Sequence, residues 1–367
     1  MIATQQKKDA LSSLAQSKDE IGATLRTFFL LKKPQLIQAD PLAALACDRL
    51  LEFTLSGKMI RGCLVSLGFS ISRGSKAGVG GELVREAGAA MELFQSGLLI
   101  HDDIMDRDLT RRGRPTIFNQ YSRDAARDGI PDWRHLGEAL GICAGDLAFF
   151  LAYELIAGLA LSPAALGRVL SLISRELAAV GIAQMRDVAW GSASSARPDE
   201  EQILRLYRYK TGRYTFSLPL MAGGILAEAD LRTMNALESL GECLGIMFQI
   251  RDDEIGLFGD PRQTGKPVGS DIREGKKTLL FARLISACSP EDSRQLSDLF
   301  GNPHITEDDL DYVRGLVESS GVRESLRATL QALQDQAAAI IRDLPDCTGE
   351  DRDTLEGLLD FVATRSS

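Results

Sequence analysis

Two apolar stretches of helical period, far apart in the chain, each end in a pair of aspartates followed by basic residues. No other feature restricts the fold as tightly. The first is ELFQSGLLIHDDIMDRDLTRRGRPT, from Glu92 to Thr116; the second is ECLGIMFQIRDDEIGLFGDPRQTGKPVGSDIREGKKT, which carries Asp252 and Asp253. On a helix, residues four apart (Asp102 and Asp106) or three apart (Asp103 and Asp106) project from one side. A helix C-terminus favours cations, and a carboxylate cluster placed there repels itself without them. Hard divalent ions, Mg²⁺ above all, take oxygen ligands from a few carboxylates and from substrate phosphates. Arg111 and Arg112 add a planar fork that matches diphosphate oxygens. Alone, the first stretch also reads as a solvated helix end with local salt bridges. The second, with Lys266, Lys276 and Lys277 behind its aspartates, suggests that the two are facing walls of one site.

Composition narrows the partners. The 367 residues carry 42 basic and 51 acidic side chains, a net charge of −9, whereas a nucleic-acid footprint calls for a basic domain. No nucleic acid is expected. Cys47, Cys63, Cys143, Cys243, Cys288 and Cys347 are scattered without a CxxC pair, so they read as reduced core residues rather than zinc ligands or disulfides. His101 and His135 read as structural and His304 as incidental, which leaves carboxylates as the metal ligands. The N-terminus lacks the apolar core of a signal peptide. The longest apolar run, about Leu140 to Leu161, contains Asp146 and Glu154 and reads as a bundle helix, with Asp146 paired inside the bundle, rather than a membrane span. A cytoplasmic protein is expected.

β-rich segments are nearly absent and long amphipathic runs dominate, which predicts one all-α domain over residues 1–367, antiparallel helices around a central apolar cavity. Packing helices are expected over Lys8–Phe29, within an N-terminal 1–40 segment, and over Pro41–Phe53, with Pro34 and Pro41 breaking the pattern. SRGSKAGVGG, Ser72 to Gly81, lacks the strand and Lys-Ser/Thr pair of a nucleotide loop and reads as a linker. Helices follow from about Glu82 to Asp106, Leu136 to Leu161 and Pro163 to Trp190. Residues 110–133 read as loop plus a short helix. The helix after Pro198 delivers YKTGRYTF, in which Gly212 permits a break or bend. Residues 281–367 read as amphipathic helices without chemistry. Lys58 and Arg61 are three apart at a helix start, where both cations and the backbone N–H groups favour an anion.

These motifs together resemble the trans-polyprenyl diphosphate synthases of the geranylgeranyl diphosphate synthase type, from about Leu51 to about Leu280. The resemblance implies an isoprenoid-synthase bundle, usually a homodimer. It implies a Mg²⁺-dependent prenyltransferase that joins isopentenyl diphosphate to an allylic diphosphate (dimethylallyl, geranyl or farnesyl), with three Mg²⁺ held by Asp102, Asp103, Asp106, Asp252 and Asp253. Gly57, Lys58 and Arg61 match the Gly-Lys-x-x-Arg motif for isopentenyl diphosphate, with Met59 and Gly62 departing from the common pattern; Gln95 and Arg112 serve the same substrate. Arg111, Lys210, Thr211 and Gln249 serve the allylic diphosphate, and Gln184 and Asp187 line the cavity. Lys266 and Lys276 belong to a lid that closes on the diphosphate. The catalytic set implied is Asp102, Asp103, Arg111, Lys210 and Asp252. Gly256 stands where members commonly have a third aspartate, with Glu254 and Asp260 as candidate substitutes.

The family's rule places product length in Met91, Phe94, Gly97 and Leu98. Phe94 lies about 12 Å below Asp102 on an ideal helix and forms the expected floor. Gly97, small where short-chain enzymes tend to have an aromatic, leaves room above it, which predicts a C20 product. On the helical wheel Met91 and Leu98 share the Asp102 azimuth while Gly97 points away. The competing readings are a shorter- or longer-chain synthase, a class I terpene cyclase, a non-catalytic partner subunit and a purely structural scaffold. SGKMIRG and Arg112 favour the synthase over the cyclase, which needs no second diphosphate site.

Overall fold

Pro34 does not end the first helix. In the computed structural model, which describes residues 2–73, 81–192, 197–259, 268–345 and 347–365, α1 (Ile2–Ile37) carries Pro34 inside its last turns. A proline this close to a helix end removes one backbone bond and leaves few behind it. Then come α2 (Leu42–Leu55), α3 (Ile60–Arg73), α4 (Gly81–Met105), a hairpin of β1 (Thr110–Arg111) and β2 (Arg114–Pro115), α5 (Ile117–Arg127), α6 (Trp133–Ala157) and α7 (Pro163–Ser192). After these the chain forms α8 (Glu200–Tyr207), a π-helix (Arg208–Ser217), α9 (Leu218–Leu226) and α10 (Leu231–Phe258). Helices Leu279–Ala287, Pro290–Leu299, Glu307–Ser319, Val322–Asp343 and Gly349–Thr364 complete the described chain. The expected all-α class is what the chain forms, with the two-residue hairpin strands as the only sheet among the described residues. Of the expected linker, Ser72, Arg73 and Gly81 are helical, and its other residues, 74–80, lie outside the described ones.

Two compact units divide the chain. One comprises Lys8–Ser171 and Pro219–Ala229 and carries Asp102; the other comprises Met1–Lys7, Leu172–Leu218 and Asp230–Ser367 and carries Asp252. In the Asp102 unit, α4 is the central element, packed on α3 and α6, and α6 packs in turn on α5. Small residues set these approaches. A Cβ on Gly97 would lie 2.9 Å from the Gly145 carbonyl and against the Phe149 ring, and one on Gly62 would lie 3.0 Å from the Gly88 carbonyl. Between the glycine contacts the core is filled by Phe94, which is fully buried and meets Tyr153 edge-on at 4.9 Å. Burial of a ring this size contributes about 1.5–3 kcal/mol.

In the Asp252 unit, α10 packs on the π-helix and on helices Val322–Asp343 and Gly349–Thr364. Helix starts are fixed by side-chain caps. Asp230 accepts from Thr233 N at 2.7 Å to open α10, and Asp199 with Gln202 forms a capping box on α8. Arg213, from the π-helix, bonds Glu176 through Nε and Nη2, both at 2.8 Å, and Glu238 and Glu242 at 2.5 Å. One planar cation thus ties α7, the π-helix and α10 together.

α6 is long and apolar enough to cross a membrane by length and composition, and it packs against α4 and α5 as a bundle helix. Asp146 corrects its expectation: it stands at the exposed edge of α6, 3.5 Å from His101 Nε2, not inside the bundle. The cysteines also divide. Cys47, Cys63 and Cys243 are buried, Cys288 and Cys347 partly so, but Cys143 is exposed, because it lies on the outward side of α6.

Candidate active site

In the Asp102 unit, α4 ends where its carboxylates begin. Arg107 adopts the left-handed conformation at φ +58°, and the N–H groups of Arg107 and Asp108 return to the carbonyls of Ile104 and Asp103 at 3.3 and 2.8 Å. This is a Schellman stop with arginine in the place usually held by glycine. The Asp106 N–H bonds the Asp102 carbonyl at 2.8 Å, so the two side chains stack one turn apart on the same side of the last turn. Both are partly exposed, whereas Asp103 is fully buried.

The hairpin then folds back on this turn. Thr110 pairs with Pro115 and Arg111 with Arg114, leaving Arg112 and Gly113 as a two-residue loop at φ +53° and +72°. Positive φ at both positions is the type I′ turn that matches strand twist, and arginine there is strained, as residues at functional sites often are. The turn sends the adjacent arginines apart. Arg111 Nε donates to Asp103 Oδ1 at 2.5 Å, with Asp102 and Asp108 at 4.0 and 3.8 Å from its Nη2. Burial pushes the Asp103 carboxyl up to about 7 despite the Arg111 cation, and its Oδ2 is buried without a hydrogen-bond partner.

Arg112 points to the start of α3. Its Nη1 donates to Ser56 Oγ at 3.0 Å, and the guanidinium covers Gly57, where a Cβ would lie 3.4 Å away. Lys58 is next in the chain, and Met59, at φ +55°, turns the backbone into α3. Burial, then the cations Arg111 and Arg61, pull the Arg112 pKa down, while Glu92 opposes them. Glu92, buried on α4, accepts from Gly62 N at 2.8 Å and is itself pushed up by burial. Gly57, Arg61, Glu92 and Arg112 therefore converge, with Lys58 adjoining them in sequence. Gln95 is half-buried one turn above Met91 and two below Asp102, and Leu98 lies between.

The residues expected to set product length fall on two faces. Phe94, Gly97 and His101 face α6, through Tyr153 and Phe149. Gly97 thus corrects the expectation that it leaves room for a growing chain: Gly145 and Phe149 fill that space. Met91 and Leu98 remain on the Asp102 side.

In the Asp252 unit, the site residues lie on α10 and the π-helix. Gly245 faces Gly212 so closely that a Cβ on Gly245 would overlap the Gly212 backbone. The π-helix widens the turn rather than bending it, so Gly212 serves close approach and not the expected break. Thr211 Oγ1 is 3.0 Å from Gln249 Oε1, to which it donates, and Gln249 Nε2 donates to Asp253 Oδ1 at 3.0 Å. Tyr207 donates to Asp253 Oδ2, and Lys210 pairs with Asp187. Asp253 is buried and its pKa lies well above the usual range, from burial first and then the nearby Asp271 charge. Asp252 is half-exposed and pairs with Arg365 at 3.1 Å.

Gly256 leaves a gap that another carboxylate fills. A Cβ there would lie 2.7 Å from Asp271 Oδ2. Glu254 is paired with Arg251 at 2.6 Å. Lys276 pairs with Glu274 at 2.7 Å and lies 3.6 Å from Asp271. Asp260 and Lys266 lie outside the described residues. Glu92, Tyr207, Asp271 and Arg365 escaped the sequence reading; the Asp four residues before the GKK run was the one available signal, for Asp271.

At the end of α4, Asp102 and Asp106 on one side and the buried Asp103 Oδ2 left without a partner offer hard oxygen donors of the kind Mg²⁺ takes; half-exposed Asp252 offers such a donor within its own unit. The polyprenyl synthetase family model matches residues 46–317. A short chain isoprenyl diphosphate synthase from Methanocaldococcus jannaschii is 33% identical over 62% of the chain and 64% of its own length, so the chain spans less than two thirds of that relative. A geranylfarnesyl diphosphate synthase from Aeropyrum pernix is 32% identical over 76% of the chain and 81% of its own length. Among solved structures, a geranylgeranyl pyrophosphate synthase from Corynebacterium glutamicum, complexed with isoprenyl diphosphate and magnesium, is 29% identical with a TM-score of 0.88, covering 95% of this chain and 99% of its own. With a family match over most of its length and its motifs on the expected helix ends, this chain belongs to the polyprenyl synthetase family, as a prenyltransferase with that family's all-α fold.

Proposed function

We propose that the protein condenses isopentenyl diphosphate with an allylic diphosphate, head to tail, lengthening an all-trans prenyl chain by five carbons. The observation that carries this reading is the divergence of two adjacent arginines. Arg111 turns to the Asp102–Asp106 carboxylates, and Arg112 turns to Ser56 and Gly57 at the head of α3. That serves two diphosphates, one at each arginine, whereas a terpene cyclase needs one.

In this reading Asp102 and Asp106 would hold Mg²⁺ with the allylic diphosphate, and Asp252 would be a metal ligand of its own unit. Asp253 has both oxygens committed to Tyr207 and Gln249, so it orients rather than coordinates, whereas Asp103 bonds Arg111 through Oδ1 and has Oδ2 for a metal. Bound Mg²⁺ would offset charge on the departing diphosphate. Arg111 is a ligand for that group beside the α4 carboxylates, and Lys210, Thr211 and Lys276 are the diphosphate ligands that the Asp252 unit offers. Lys58, Arg61, Gln95 and Arg112 hold the second diphosphate so that its double bond meets the allylic carbon. Apolar Leu98 and Met91 keep water from the cationic carbon and set the length. We propose geranylgeranyl diphosphate as the product, a homodimer as the assembly and the cytoplasm as the location. The Corynebacterium glutamicum likeness supports the first; exposed apolar Phe150 and Ile142 on α6 support the second.

Incubation of the purified protein with Mg²⁺, isopentenyl diphosphate and farnesyl diphosphate tests the reading. An elongated product supports it. Cyclisation of geranylgeranyl diphosphate would indicate the cyclase, and no turnover a non-catalytic subunit.

A further inference from the structure

Arg365 follows helix Gly349–Thr364, in a region where the sequence shows no chemistry, yet it reaches the second aspartate pair. Its guanidinium lies 3.9 Å from the centroid of the Phe248 ring, and Nη2 is 3.1 Å from Asp252 Oδ1. Phe248 and Asp252 are four residues apart on α10, so ring and carboxylate form one continuous strip on that helix. Phe248 is backed by Phe216 of the π-helix at 5.7 Å. The arginine is held from two sides, by a π face and by a charge. Only 8% of its side chain is exposed, against 54% of Asp252. Burial lowers the Arg365 pKa while Asp252 supports the charged form.

Asp253 beside it is closed off by Tyr207 and Gln249, which leaves Asp252 as the exposed carboxylate of the pair. A guanidinium that hydrogen-bonds Oδ1 occupies an oxygen that a divalent cation would use, and two cations on one carboxylate repel. We propose that Arg365 is a displaceable counter-cation for Asp252: it neutralises this carboxylate while the metal is absent and leaves it when a divalent ion binds. Docking of the segment around Arg365 and metal loading at Asp252 then exclude one another. The proposal rests on the reading of Asp252 as a metal ligand.

Mn²⁺ binding in the presence of inorganic pyrophosphate, followed by electron paramagnetic resonance on the full chain, separates the two claims. Asp252→Asn should lose part of the pyrophosphate-dependent Mn²⁺ binding. Arg365→Gln should bind Mn²⁺ about 2- to 5-fold more tightly than wild type, the range expected for removing one ion-pair competitor, and Arg365→Lys should fall between. In the wild-type chain, amide hydrogen exchange over residues 360–365 should speed up when Mn²⁺ and pyrophosphate are added. This second readout stands even where Arg365→Gln fails to fold. Equal or weaker Mn²⁺ binding by Arg365→Gln, or exchange that does not change on loading, overturns the proposal while Asp252 keeps its role. Wild-type binding by Asp252→Asn overturns both.

Discussion

Tyr207 donates a hydrogen bond from its buried hydroxyl to Asp253 across 46 residues of sequence, and the same oxygen accepts the backbone N–H of Leu279 at 2.8 Å. One phenol thus joins α8, α10 and the start of helix Leu279–Ala287. Phenylalanine would keep the ring and strand both partners. With a buried acceptor left short of a donor, Tyr207→Phe should lose about 1–3 kcal/mol of stability in urea titration. A loss below a few tenths of a kcal/mol would mean that the phenol contributes nothing to Asp253.

Asp103 makes stability depend on pH. Its carboxyl is pushed up to about 7 by burial, against an unfolded value near ~3.9. A raised acid pKa means that the folded state binds the proton more tightly. Its contribution is complete below pH ~4 and is lost as pH rises through about 7, up to ~4 kcal/mol in all. Asp103→Asn should flatten this part of the profile in urea titrations between pH 4.5 and 8. If the wild-type profile and the Asn profile keep the same slope, Asp103 ionises as an ordinary carboxylate.

Asp102 differs from Asp103 by one position and by its surroundings. It is partly exposed and stacks with Asp106. Asp102→Ala should leave the thermal midpoint within a few degrees of wild type, as a surface change does, and abolish prenyl elongation. Retained turnover would remove Asp102 from the proposed metal site.

Spacing made such aspartates legible, because three- and four-residue separations at the end of an apolar helix need no tertiary knowledge. The helices were legible for the same reason. The Arg112–Gly113 turn was not, since arginine is a poor guide to a left-handed backbone. The π-helix was equally hidden: one extra residue per turn leaves the apolar period nearly unmarked. Tyr207 and Arg365 gain their meaning only from partners distant in sequence, and Asp271 only from the missing side chain of Gly256.

Gly97 separates a packing role from a length-setting role. Alanine there places a methyl 2.9 Å from both the Gly145 carbonyl and the Phe149 ring, and such overpacking costs about 1–3 kcal/mol. Gly97→Ala should therefore lower stability in urea titration and leave the product distribution unchanged. A shortened product at unchanged stability would restore Gly97 to the cavity wall.

The proposed length-setting face of α4 is then tested best at Leu98, not at Phe94. Phe94 is fully buried against Tyr153, so Phe94→Ala should cost about 3–5 kcal/mol, and any change in product would be mixed with loss of fold. Leu98 is partly exposed and lies one turn below Asp102 on the same side of α4. Truncating it opens space beneath the reacting carbon at a smaller cost. Leu98→Ala should shift the product to chains at least one isoprene unit longer, and Leu98→Phe to shorter ones, read by chromatography of the dephosphorylated alcohols. Identical chain lengths from both variants would place the floor elsewhere, with Met91, one turn deeper than Gln95 on this face, as the next position to vary.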